Sequence, residues 1–197
     1  QKAGDAPHII LFPEIAFDEA AFLARTEECV KKHGYCAVVV SEGVRNKEGK
    51  FLAGAGTRDA FGHALLGGVG PVVAQLVKDK LGYKYHWALA DYLQRSARHL
   101  ASRTDLEQAH ALGVAAVDLA LQGKNAVMAT IERLADSPYR WEIGNAPLAE
   151  IANVERKMPA EFITPDGFHI TDACRTYLQP LIEGEDPPPY RNGLPDY

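Results

Sequence analysis

The stretch from residue 8 to residue 43 constrains the fold most. "HIILFPE" (8–14) is a short, continuously apolar run ended by a proline, and "YCAVVVSEG" (35–43) is a β-branched run that turns polar. Unbroken apolar runs of this length suit strands buried on both faces, as in a parallel sheet. Between them lies "DEAAFLARTEECVKKHG", with acids early, Lys31, Lys32 and His33 late, and Gly34 as a stop, the charge order a helix dipole favours. Strand, helix and strand in about 35 residues make a βαβ unit with a right-handed crossover. The expected class is α/β, with a mainly parallel sheet and helices on its faces. In such sheets ligands bind beyond the carboxyl ends of the strands.

The remaining chain extends this pattern. Residues 44–70 are glycine-rich and charged, a long connection of the kind that is functional, mobile or covered by a partner. "PVVAQLVKDKLG" (71–82) reads as a helix, "YKYHWALADY" (83–92) as a third strand, and "TDLEQAHALGVAAVDLALQG" (104–123) as a helix with Thr104 and Glu107 forming a capping box. "NAVMATIERL" (125–134) reads as a fourth strand. Beyond Ser137 the pattern weakens to two helices, at "PLAEIAN" and "TDACRTYLQPLI", and a proline-rich tail that wraps the surface. The expected organisation is an α/β portion over 1–136 and a helical extension with the tail over 137–197.

Charge and cysteine content narrow the function. A formal net charge of −5 lacks the basic footprint of a nucleic-acid binder. Three cysteines without CxxC spacing argue against both a zinc knuckle and a disulfide framework, and they suit a reducing cytoplasm. The seven histidines form no HExxH, so no metal site within this chain is expected. No apolar run approaches the roughly 20 residues of a membrane span. A chain that enters a strand within its first dozen residues has no preceding helix to cover that sheet. It reads as a fragment exposing an apolar face.

Three expected strand ends carry polar groups: Pro13-Glu14, Ser41-Glu42-Gly43, and Asp91 through Ser96, with Arg98, His99 and Arg103 just beyond. On one edge of a parallel sheet these converge. A carboxylate there accepts hydrogen bonds from sugar hydroxyls, and an arginine holds a phosphate by two parallel N–H bonds. Each residue also has a plainer reading, Glu14 as a charge complementing a helix dipole and Arg95 as a surface residue. "FGHALLGGVG" (61–70) could cradle phosphate on backbone N–H groups but lacks the GKS or GKT of a P-loop, and reads rather as a structural turn that lets helix and sheet approach closely.

"ILFPE", "VVVSEG", "DAFGHALLGG", "YLQRS", "PLAEIAN…MP" and "YLQPLI" together resemble the C-terminal half of phosphofructokinases, over about residues 6–184. The tyrosine of "YLQRS" looks more like the pyrophosphate-dependent branch than the short ATP-dependent enzymes. What the resemblance implies is a fructose 6-phosphate site. Glu14 would bind sugar hydroxyls, and the Tyr92-Leu93-Gln94-Arg95 segment would contact the same sugar phosphate. The basic residue that the family lends across a subunit interface falls at His86, with Lys84 nearby. An imidazole is a weaker phosphate ligand than the guanidinium usual there.

The resemblance also implies what other residues must provide. In the family, the loop for the phosphoryl donor and Mg²⁺ and the aspartate that activates the sugar hydroxyl belong to an N-terminal half to which this chain is not matched. No catalytic residue is therefore assigned here. The expected function is the fructose 6-phosphate-binding half of a pyrophosphate-dependent 6-phosphofructokinase of glycolysis, with Mg²⁺ as cofactor. Pyrophosphate would be bound through the other half, the chain would be inactive alone, and the protein would be a cytoplasmic homo-oligomer with neither nucleic acid nor membrane as partner. The alternative is a non-catalytic sugar-phosphate-binding or regulatory module.

Overall fold

The computed structural model describes residues 5–58, 64–66 and 68–196. The chain forms two compact units, one of Gln1–Leu89 with Met158–Thr171 and one of Ala90–Lys157 with Asp172–Tyr197.

The first unit holds the expected βαβ element. Strand β1 (Ile9–Leu11) pairs in parallel with β2 (Val38–Val40), Ile9 opposite Val38 and Leu11 opposite Val40. Between them runs helix α1 (Glu19–His33). Asp18 caps α1 by accepting from the Ala21 N–H at 3.0 Å, and Gly34 ends it in the left-handed region at φ 79°. Lys47 reaches Asp18 at 2.7 Å, tying the following loop to the helix start; that hydrogen bond, with the Ala21 amide, holds the Asp18 carboxyl below the ordinary carboxylate range. Beyond β2, Arg45 bridges to Phe51, and β3 (Gly54–Arg58) pairs antiparallel with β4 (Ala64–Leu66). Helix α2 (Val69–Leu81) follows and stops at left-handed Gly82.

The core lies in this unit. Ile9, Leu11, Phe22, Val44, Ala53, Val69 and Val73 form one buried cluster, so β1, α1, the loop after β2 and α2 close on each other. Phe22 and Ile9 are wholly buried. Removing either side chain to alanine would cost about 2–5 kcal/mol through lost transfer energy and the cavity left behind.

The second unit begins with a short helix, α3 (Leu93–Ser96), and continues into the long helix α4 (Arg103–Leu121). Strands β5 (Val127–Asp136) and β6 (Tyr139–Pro147) form an antiparallel hairpin that leads into α5 (Leu148–Ile151). Helix α6 (Asp172–Leu178) and a two-stranded ribbon, β7 (Tyr190–Arg191) with β8 (Leu194–Pro195), complete it.

Several sequence expectations shift. Residues 83–90 form no strand: Tyr83 and Tyr85 are half-buried and the Tyr85 hydroxyl donates to Gln75 on α2, but no neighbouring strand among the described residues offers a ladder. The run at 125–134 is a strand, but its partner is β6 and the pairing is antiparallel. The boundary expected between 136 and 137 falls in the turn of that hairpin, so the structural division runs elsewhere. Ser102, not Thr104, caps α4. Its hydroxyl accepts from the Asp105 N–H at 3.1 Å and donates to the Leu181 carbonyl at 2.6 Å.

Candidate functional site

The parallel pairing of β1 and β2 brings two of the anticipated strand ends together. The Ser41 N–H donates to the Leu11 carbonyl, and the turn behind it is closed by Val44 N–H to the Ser41 carbonyl and Gly43 N–H to Ser41 Oγ. A β-carbon on Gly43 would sit 3.1 Å from Pro13 Cβ, so the two strand-end loops touch and only a residue without a side chain fits easily. Glu42 is exposed beside them.

Glu14 follows Pro13 at this edge and is fixed from the side. The segment Met158–Thr171 runs along β1, its Phe168 carbonyl accepting from the Ile10 N–H at 2.8 Å. Met158, at the start of that segment, donates its backbone N–H to Glu14 Oε1 at 2.9 Å. The other carboxylate oxygen, Oε2, is buried with no hydrogen-bond partner among the described residues. A buried carboxylate oxygen left without a donor costs free energy, about 1–3 kcal/mol or more for a charged group. That cost is recovered when a ligand hydroxyl donates to it.

The other anticipated strand-end group belongs to the second unit. Asp91 takes a positive φ of 44°, turning the chain so that Tyr92 opens α3. Both Tyr92 and Arg95 are exposed, and the Arg95 guanidinium lies 5.4 Å from the Tyr92 ring centre, a cation–π arrangement. The backbone of Gln94 is helical and Leu93 is exposed. No hydrogen bond or ion pair holds the Arg95 guanidinium among the described residues, so its planar donors face solvent. The neighbouring arginines are used otherwise. Arg98 pairs with the Asp186 carboxylate at 3.3 Å and also donates to its carbonyl, while Arg103 donates to the Glu185 carbonyl at 3.1 Å. Arg98 and Arg103 tie the proline-rich tail to the start of α4, and Arg95 alone of the three stays available for an anion.

Lys84 and His86 lie in the extended segment at the end of the first unit, both exposed. Glu14, Lys84 and His86 thus belong to one unit and Tyr92, Leu93, Gln94 and Arg95 to the other. The candidate phosphate cradle at 61–70 lies partly outside the described residues, at Phe61, Gly62, His63 and Gly67, as do Asp59 and Ala60. Sequence reasoning missed Met158, since a backbone donor 144 positions away leaves no local signal. It also missed a grouping of His8, Cys29 and Cys36, whose spacing matches no metal motif.

No family model matches the chain. It is 66% identical over 189 residues to the pyrophosphate–fructose 6-phosphate 1-phosphotransferase of Methylococcus capsulatus, covering 96% of this chain and 45% of that protein. Against the same enzyme of Halomonas elongata it is 61% identical over 195 residues, covering 99% of this chain and 46% of the relative. The crystal structure of the pyrophosphate-dependent phosphofructokinase from Nitrosospira multiformis superposes with a TM-score of 0.80 at 60% identity, over 97% of this chain and 44% of that one. The chain spans just under half the length of the relatives it matches. Over nearly its whole length, then, it matches in sequence and in fold a portion of the pyrophosphate-dependent phosphofructokinases.

Proposed function

We propose that this chain is the fructose 6-phosphate-binding, C-terminal portion of a pyrophosphate-dependent 6-phosphofructokinase, which transfers a phosphoryl group to the 1-hydroxyl of the sugar. The observation that carries the reading is the buried, unpartnered Oε2 of Glu14 at the carboxyl edge of the parallel strands, held in place by Met158. Glu14 accepts a hydrogen bond from a sugar hydroxyl. Arg95, with Tyr92 beside it, holds the sugar phosphate, its two parallel N–H groups matching two phosphate oxygens. Leu93 and Gln94 belong to the same segment, and Lys84 and His86 are the residues that would be lent across a subunit interface to the sugar phosphate.

Phosphoryl transfer also needs neutralisation of developing charge and a base for the attacking hydroxyl. The donor grouping found among the described residues, His8 with Cys29 and Cys36, is soft. Mg²⁺ takes hard oxygen ligands in octahedral geometry, so these residues do not fit it. As the family resemblance implies, donor binding, the metal and the base belong to residues outside this chain, which would then be inactive alone.

The reading carries a glycolytic, cytoplasmic setting and a homo-oligomer. Among the described residues no helix is long and apolar enough to cross a membrane. On α4 no residue is buried, and Val114, Val117 and Leu121 are exposed. An assembly that covers this apolar face fits a multi-subunit enzyme.

The test is turnover by the complete protein with fructose 6-phosphate and either pyrophosphate or ATP. Formation of fructose 1,6-bisphosphate with pyrophosphate only is expected. Saturable sugar-phosphate binding without turnover with either donor would instead mark a non-catalytic binding module.

A further inference from the structure

Outside the sugar-phosphate edge, the first unit brings together three side chains from separate places. His8 precedes β1, Cys29 lies in the last turns of α1, and Cys36 lies in the turn that enters β2. One ring nitrogen of His8 and the two sulfurs all lie within 4.8 Å of one another. Cys29 is buried, its thiol directed to the Tyr35 carbonyl at 3.4 Å, and Cys36 is half-buried. The imidazole is clamped between His33 and Tyr35, with ring centres 5.0 and 4.9 Å away.

We propose that His8, Cys29 and Cys36 form a binding site for one thiol-seeking divalent ion of the zinc class, with the two sulfurs as its principal ligands. Zinc bonds of about 2.3 Å to sulfur and about 2.0 Å to nitrogen, at tetrahedral angles, set donor atoms roughly 3.5–4 Å apart. Donors already within 4.8 Å need only small side-chain movements to reach that spacing. On binding, each thiol releases its proton to solvent, and the two resulting thiolates neutralise the divalent charge in a buried setting, where an uncompensated ion would be costly. The pair also suits soft rather than hard cations.

The histidine enters on different terms. Its Nδ1 accepts the Ala37 N–H at 3.0 Å, so the ring proton sits on Nε2, which is buried and has no hydrogen-bond partner among the described residues. As an N–H it is a donor without an acceptor, and it becomes a metal ligand only once its proton has moved to Nδ1. Ligation through either nitrogen gives up the Ala37 hydrogen bond: Nδ1 by using the same lone pair, Nε2 by moving the proton to Nδ1. His8 is therefore the weakest of the three ligands. A fourth position is left to water, as in sites with three protein donors. Binding would clamp the end of α1 to the entries of β1 and β2.

The experiment is titration of the reduced, metal-free protein with Cd²⁺, followed through the ultraviolet thiolate-to-cadmium charge-transfer band. Saturation at one ion per chain is expected. Cys29→Ala and Cys36→Ala should each weaken binding by more than about 100-fold, and His8→Ala by about tenfold, within the range seen when metal-supporting groups are removed. Cys174→Ala should leave the titration unchanged. The wild-type titration decides even if a variant does not fold: no band, or no saturation at one ion, overturns the proposal. So does a band that survives in folded Cys29→Ala or Cys36→Ala.

Discussion

Glu14 and Met158, 144 positions apart in the chain, are joined by a 2.9 Å hydrogen bond from the Met158 backbone N–H to Glu14 Oε1, and the second carboxylate oxygen is left buried without a partner. The bond fixes the rotamer, so the free oxygen is presented in one place. A ligand hydroxyl then meets an acceptor whose ordering cost is already met.

Glu14→Gln keeps an oxygen for Met158 but replaces the anionic acceptor with a neutral amide. Hydrogen bonds to charged groups are worth about 1.5–3 kcal/mol, so KM for fructose 6-phosphate in the complete enzyme should rise roughly tenfold or more, with the melting temperature nearly unchanged. Glu14→Ala should raise KM similarly and also lower the melting temperature, through loss of the Met158 anchor. An unchanged KM in Glu14→Gln would reduce Glu14 to a structural bracket.

Arg95 is exposed and, among the described residues, its guanidinium is engaged only by the Tyr92 ring, so it contributes little to folding. Arg95→Ala should leave stability within about 0.5 kcal/mol and weaken sugar-phosphate affinity by about tenfold or more. Arg95→Lys should recover part of that loss, because an ammonium acts as a point charge without the two-pronged geometry. KM for the phosphoryl donor should stay constant. A donor KM that rises with the sugar KM would move Arg95 out of the sugar-phosphate site.

Ser102 makes two bonds at the start of α4, accepting from Asp105 and donating to the Leu181 carbonyl. Ser102→Ala should cost about 1–2 kcal/mol by urea denaturation, as lost caps do, without changing substrate KM. Ser102→Thr should restore most of it. Equal stability in Ser102→Ala would mean that α4 is capped by other means.

The Cys36 thiol is raised from 9.0 to about 12, first by burial and then by the neighbouring Cys29 side chain. A folded-state pKa above the unfolded one favours the protonated, folded form. Its stabilisation is therefore full below pH 9.0 and is lost as pH climbs toward about 12. Metal-free wild-type protein should lose stability across that window more steeply than Cys36→Ala, by thermal melts at successive pH values. Parallel curves for the two proteins would contradict the account.

What was legible in the sequence was whatever a local pattern encodes. The charge order and stop glycine of α1, the βαβ alternation and the glycine that ends α2 all rest on neighbours a few residues apart, and they hold. The aromatic run at 83–90 carries strand propensity, but propensity alone cannot supply a ladder partner. Val127–Asp136 has the composition of a strand, and only the turn at 137–138 reveals that it folds back on β6. Among the candidate site residues, Glu14, Tyr92 and Arg95 stand out in the sequence as polar residues just past apolar runs. The Met158 brace, the diversion of Arg98 and Arg103 to the tail, and the His8–Cys29–Cys36 grouping depend on contacts that only the fold creates.

The central claim is that this chain carries the fructose 6-phosphate half of the site and not the donor half. Isothermal titration of the 197-residue chain itself with fructose 6-phosphate, and separately with pyrophosphate, tests it most directly. Weak, saturable binding of the sugar phosphate, abolished by Arg95→Ala, with no heat from pyrophosphate is the predicted result. Pyrophosphate binding in the absence of sugar-phosphate binding would contradict the account.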